Sequence, residues 1–93
     1  MCLEGRQMEE LLLSIGMDME EIIDKRTFYS SIGIYKISAI INLLKRYNCS
    51  NEFIKECLLN SKIVTYQMDK LSYILDSIVS NGDMIEEILL EIV

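Results

Sequence analysis

The residues of this sequence that are best suited to chemistry are its acidic pairs and its cysteines. Histidine, the commonest general base and a frequent zinc ligand, is absent from the 93 residues. The members of the pairs Glu9-Glu10, Glu20-Glu21 and Glu86-Glu87 diverge by about 100° on a helix, so they do not converge on a shared proton or metal ion. The cysteines are Cys2, Cys49 and Cys57. Their odd number and irregular spacing indicate neither a zinc site nor a disulfide framework. We therefore expect no catalytic residue, no metal ligand and no cofactor, and we do not expect an enzyme.

Charges are segregated along the chain, although the net charge is -6. Residues 1–24 carry seven acids and one base, residues 25–70 carry eight bases and three acids, and residues 71–93 carry five acids and no base. A basic segment can contact phosphates. Bases near helix C-termini and acids in first turns produce the same pattern through the helix dipole. We expect the dipole arrangement and keep nucleic-acid binding by residues 25–70 as the alternative.

Apolar residues recur at spacings of three and four along the chain, and proline is absent, which predicts an all-α fold with about six helices. The longer helices are predicted at about residues 4–15, at 34–46 and from about 65 to 79. Shorter helices are predicted after Asp18, Ser50 and Asp83, each of which is typical of an N-cap. Residues 27–33 and 60–64 are predicted to be connections. Gly16 and Asn48, in the turns after the first and third helices, are predicted to be left-handed residues.

The turn residues and the caps recur in step with the apolar stripes. A shift of 34 residues places Asn48 on Gly82 and Glu52 on Glu86, and a shift of 32 residues places Gly16 on Asn48. The chain is therefore predicted to be a single domain, residues 1–93, made of two and a half helix-pair repeats at about 4–33, 34–67 and 68–93. Its helices form either a short array of these repeats or an irregular orthogonal bundle.

Three segments share the pattern of a turn followed by a capped helix: residues 14–22 (SIGMDMEEI), 48–54 (NCSNEFI) and 81–88 (NGDMIEEI). They resemble the repeats of the mitochondrial transcription termination factor (mTERF) family. The resemblance implies a right-handed helical array with a concave face that can hold nucleic acid. The chain departs from that family by having Thr27 and Ser61 near the places of the usual prolines, and by being acidic.

One or both ends of the repeat series are predicted to associate with another molecule, because a short stack of repeats without polar end caps leaves apolar surface open. The candidate interface residues are Leu11, Leu13, Ile88, Leu90, Ile92 and Val93. We expect an interaction module that binds a partner protein or a second copy of itself as a dimer. In the nucleic-acid alternative, the contacts come from Lys36, Lys62, Lys70, Tyr35 and Tyr66.

The expected location is the cytoplasm. The first residues lack the basic and apolar stretches of a signal peptide. No apolar run approaches the roughly 18 residues that cross a bilayer, so we expect no membrane association.

Overall fold

Three long helices and five shorter ones follow one another through residues 3–93, the part of the chain that the computed structural model describes, with side chains from Arg6 onward. They are α1 (Leu3–Ser14), α2 (Met19–Asp24), α3 (Arg26–Ile32), α4 (Ile34–Arg46), α5 (Asn51–Leu59), α6 (Ser61–Thr65), α7 (Met68–Ser80) and α8 (Ile85–Ile92). No strand occurs in these residues. The predicted all-α fold is confirmed, and its helices fall into a first segment (α1–α3), a middle segment (α4–α6) and a last segment (α7 and α8).

The predicted number of six helices is wrong, because both predicted connections contain a further helix. The first of these, α3, has no side-chain cap at its start, which is why its sequence carries no clear signal. A tertiary contact fixes it instead. Tyr29 is 1% exposed, and its hydroxyl donates a hydrogen bond of 2.8 Å to the Leu58 carbonyl of α5.

The second additional helix, α6, begins at Ser61, within the predicted connection 60–64. Asn60 ends α5 and also caps α6, since its side chain accepts hydrogen bonds from the backbone N–H groups of Lys62 and Ile63. Ile63 and Val64 are fully buried. A helix of five residues is stable here because it is capped and because it adds to the core.

Two of the three predicted caps are confirmed, and one is wrong. Asp18 and Glu21 form a complete capping box, and the Ser50 side chain accepts from the Phe53 N–H. Asp83 does not cap α8, which begins at Ile85 after Met84 and has no side-chain cap.

The turns after the three long helices have the same backbone geometry. Gly16, Asn48 and Gly82 have φ values of 92°, 62° and 80°, so the predicted left-handed residues at positions 16 and 48 are confirmed. In each turn the following N–H reaches back to the helix: Met17 to Leu12, Cys49 to Leu44 and Asp83 to Ile78, at 3.2, 3.1 and 3.1 Å. These bonds are those of a Schellman motif, which satisfies carbonyls at the end of a helix.

The core is one continuous apolar cluster along the length of the molecule. Each long helix buries a stripe: Met8 and Leu12 of α1, Ile37, Ile40, Ile41 and Leu44 of α4, and Leu71, Leu75 and Ile78 of α7. Helix α4 contacts both of the other long helices, α1 and α7. The molecule is elongated, at 45 × 22 × 20 Å.

Polar contacts also join consecutive segments. Lys55 Nζ of α5 lies 3.2 Å from Glu21 Oε1 of α2. The backbone N–H of Ser50, at the start of α5, donates to Glu86 Oε2 of α8 at 2.8 Å. Because Glu86 makes this bond, the middle and last segments are linked at the start of their shorter helices.

Candidate interaction surfaces

Equivalent positions of the middle and last segments differ sharply in burial. The 34-residue shift pairs Ile40 with Ile74, Leu44 with Ile78, Ile54 with Ile88 and Leu58 with Ile92. The four members in the middle segment are 0% exposed. In the last segment Ile78 is 4% exposed, Ile74 and Ile88 are half-buried, and Ile92 is 56% exposed. Three of the four counterparts, Ile74, Ile88 and Ile92, are thus partly or largely exposed in the last segment.

The open positions line a groove between α7 and α8. The groove is lined by Tyr73, Ile74, Ser77, Ile78, Asn81, Asp83, Ile88 and Ile92. Tyr73 projects at its edge and is 73% exposed. Ile88 and Ile92 are four residues apart and lie one above the other on α8. The result is a mostly apolar channel with one carboxylate, that of Asp83, at the turn.

The exposed face of α8 that borders this groove is acidic, although its glutamates do not line the groove itself. Glu87 and Glu91 are four residues apart and form a row beside Ile88 and Ile92, and both are exposed. Within residues 3–93, no lysine or arginine lies within ion-pair distance of Asp83, Glu87 or Glu91. The groove therefore combines an apolar floor with one lining carboxylate, that of Asp83, and further negative charge on the bordering face of α8.

The six candidate interface residues do not form one surface. Ile88 and Ile92 share the groove just described. Leu90 and Val93 are half-buried against the core, and so is Leu11 of α1. Leu13, on α1, is 44% exposed.

Sequence reasoning missed Tyr73 and Ile74 of the groove. Ile74 recurs at helical spacing with the buried residues Leu71 and Ile78 of α7. The apolar pattern of the helix therefore predicts that Ile74 is buried and gives no sign of its exposure. The signal that could have found it is the repeat itself, since Ile74 aligns with Ile40 and a series of repeats leaves the face of its outermost unit open.

The residues of the nucleic-acid alternative are only partly brought together. Lys70 Nζ lies 4.4 Å from the centre of the Tyr66 ring, a cation–π contact. Tyr35 is 88% exposed at the start of α4, Lys36 is half-buried and Lys62 is exposed on α6. The contact between Tyr66 and Lys70 is the one pairing among these five side chains that the structure gives.

The cysteines are suited to packing rather than to nucleophilic chemistry. Cys57 is fully buried, as its place on an apolar stripe predicts, and burial is the main cause that raises its thiol pKa to about 12. Cys49 is half-buried, and burial together with Glu86 raises its pKa to about 11. Both thiols stay protonated near neutral pH, where the thiolate is the reactive form. Cys2 lies outside the described residues.

A second, smaller pocket lies between α1, α2 and α3. Its lining includes Met8, Leu12, Ile22 and Tyr29, and an ion pair of 2.9 Å between Glu9 and Arg26 stands at its edge. The Tyr29 hydroxyl is already bonded to Leu58, and burial is the main cause that raises its pKa to about 12. The charged groups and the tyrosine hydroxyl of this pocket are thus paired with one another or with the backbone.

Searches for metal sites, membrane spans and relatives give no further assignment. Among residues 3–93, no group of three cysteine, aspartate or glutamate side chains is placed to hold a metal ion. No helix in the same part of the chain has both the length and the apolar character needed to cross a membrane. Comparison with protein-family models, with curated proteins and with solved structures finds no match to this chain.

Proposed function

We propose that this chain is a non-enzymatic helical-repeat module that binds a partner protein through the groove between α7 and α8. The observation that carries the proposal is the difference in burial between equivalent positions. Leu58 is 0% exposed in the middle segment, while its counterpart Ile92 is 56% exposed in the last. An apolar surface of this kind, bordered by polar residues, is typical of an interaction site.

The repeat interpretation is part of this proposal and is supported by the three turns. The same pair of backbone hydrogen bonds ends α1, α4 and α7, with spacings of 32 and 34 residues between the left-handed residues. The first two segments also share the order of one long helix and two short ones. Two unrelated segments would not be expected to share both the turn geometry and the helix order at the same spacing.

The order of the contacts supports an array rather than an irregular bundle. Helices α1, α4 and α7 contact one another in sequence, and the molecule is about twice as long as it is wide. In an array each unit contacts its neighbours, so the last unit presents the face that a further unit would cover. The resemblance to mTERF repeats is also part of this proposal. It concerns the fold alone, which it implies is a right-handed helical array.

A photo-cross-linking amino acid at position 92 tests the function in the cells that express the protein. The control places the same group at Val79, which is 52% exposed on α7 but does not line the groove. We expect a discrete protein adduct from position 92 and none from position 79. Equal cross-linking from both positions, or none from position 92, would contradict the proposal.

Nucleic-acid binding remains the second candidate because Lys70 and Tyr66 stack at an accessible site. A gel shift at low salt tests it, with a triple variant of Lys36→Glu, Lys62→Glu and Lys70→Glu. Binding that falls steeply with salt and disappears in the variant supports this candidate. Absence of a shift at low salt removes it.

A further inference from the structure

We infer that the occupant of the groove between α7 and α8 is an amphipathic helix of a partner protein whose apolar stripe is flanked by lysine or arginine. This inference rests on the proposed function and specifies the partner that the groove fits. Three features of the described residues support it, namely the cover of the equivalent positions, the charge of the border and the charge of the molecule's own ends.

The shape of the occupant follows from the middle segment. There, α7 packs against α4, whose positions Ile40 and Leu44 correspond to Ile74 and Ile78 of the open groove. The neighbour that α4 has in the last segment is thus a long helix with a buried stripe. A groove built to the same pattern is suited to another helix, which would place residues at helical spacing on its apolar floor.

The charge of the occupant follows from the border. Asp83 lines the groove, and Glu87 and Glu91 are exposed on the bordering face of α8. The one base nearby in sequence is Lys70, on α7, and its ammonium group is placed over the Tyr66 ring. A row of carboxylates without cationic partners favours a helix that brings lysine or arginine to that side, since complementary charge directs association and orientation.

The same charges disfavour a second copy of this chain in the groove. A face-to-face dimer would bring together two last segments, each with five acids and no base in residues 71–93. A head-to-tail arrangement would place residues 1–24, with seven acids and one base, against the acidic border. Both arrangements oppose like charges, whereas a basic helix does not.

Binding of a designed helix tests the inference directly. The probe is a fluorescein-labelled stapled helix of 13 residues, the length of α7, with a leucine and isoleucine stripe flanked by lysines. One control peptide has the same composition in scrambled order, and the other replaces each lysine with glutamate. Fluorescence anisotropy with the whole chain measures each affinity at low and at physiological salt. We expect binding of the lysine helix alone, weakened by salt.

Variants of the chain then locate the binding. Ile92→Glu should weaken the affinity by tenfold or more, on the order of an interface hot spot. Val79→Glu, at similar exposure on the same helix pair, should change it by less than about twofold. The triple variant Asp83→Asn, Glu87→Gln and Glu91→Gln should weaken it by about tenfold at low salt and by less at physiological salt.

The outcomes separate this inference from the proposed function. Equal binding of the scrambled or glutamate peptides, or no effect of Ile92→Glu, overturns the basic-helix inference. A cross-linked partner at position 92 with no binding of the lysine helix leaves the proposed function in place and rejects this occupant. A dimer in sedimentation velocity that Ile92→Glu dissociates identifies a second copy as the occupant and also rejects it.

Discussion

The middle segment and the last segment contain long helices of the same length that end in the same kind of turn, yet they differ in what covers them. Helix α4 contacts the long helices of both neighbouring segments, α1 and α7, whereas α7 contacts α4 and lines an open groove with α8. Leu58 and Ile92 occupy equivalent positions and are 0% and 56% exposed. Whether an apolar residue in such a chain is buried or exposed therefore depends on the segment that packs next to it. The amphipathic pattern of its own helix does not distinguish the two cases.

The largest difference between the two segments should appear in the free energy of unfolding when Leu58 and Ile92 are each truncated to alanine. Leu58→Ala should lower the free energy of unfolding by about 2–5 kcal/mol, because it leaves a cavity in a packed core. Ile92→Ala should change it by less than about 0.5 kcal/mol, because the side chain is largely exposed. Urea unfolding followed by far-ultraviolet circular dichroism measures both. Losses of equal size would mean that another molecule, such as a second copy, covers Ile92 in solution.

The next effect concerns the tyrosines that connect consecutive segments. Tyr29→Phe should lower the free energy of unfolding by about 1–3 kcal/mol, because it leaves the buried Leu58 carbonyl without its donor. Tyr47→Phe removes a hydrogen bond to Asp76 that is exposed to solvent, so its cost should be smaller. The same unfolding measurement compares them. A larger loss for Tyr47→Phe would indicate that the last segment is held more firmly than the middle one.

A smaller effect is expected at the turns. Gly82→Ala should cost about 1–2 kcal/mol, because an L-residue is strained in the left-handed conformation. A Cβ atom at this position meets nothing within 4 Å, so the cost is one of backbone strain without steric conflict. Asn48→Ala should cost less, because the position already carries a Cβ atom at a φ of 62°. Thermal unfolding of both variants tests this order, and no loss in Gly82→Ala would argue against an equivalent turn in the last segment.

The finest test uses pH on the contact between Tyr29 and Leu58. The pKa of Tyr29 is raised from 10.0 to about 12, mainly by burial and then by the Glu21 charge. The folded state therefore holds the phenolic proton more strongly than the unfolded state, so this contribution to stability is fully present below pH 10 and is lost as the pH rises through 12. The wild type should lose more stability over this interval than Tyr29→Phe. The variant Tyr35→Phe, at a side chain that is 88% exposed, is the control and should follow the wild type.

Sequence reasoning located the elements that local interactions determine. The N-caps at Asp18 and Ser50 and the left-handed residues Gly16 and Asn48 depend on a few neighbouring residues, so their spacing was sufficient. Helix α3 was missed because its position depends on a hydrogen bond between Tyr29 and a carbonyl 29 residues further along the chain. Such a contact leaves no periodic pattern in the sequence.

The candidate surface was predicted only in part for a related reason. Ile88 and Ile92 were identified because the last helix is rich in apolar residues and ends the repeat series. Leu90 and Val93 share that composition but pack against the core. Composition showed that α8 has surplus apolar side chains, but the packing of α8 against α7 decides which of them remain exposed.

The Ser50 N–H, in the middle segment, donates a hydrogen bond to Glu86 of α8. Protection of this amide proton from exchange therefore depends on the position of a helix in the last segment. If α8 separates from the rest of the molecule, that proton loses its acceptor and becomes available for exchange with solvent, even while α5 remains folded. The exchange rate of a single amide at the start of α5 would therefore report how often α8 detaches. A ligand that holds α8 in place would slow that exchange from a distance, without touching Ser50 itself.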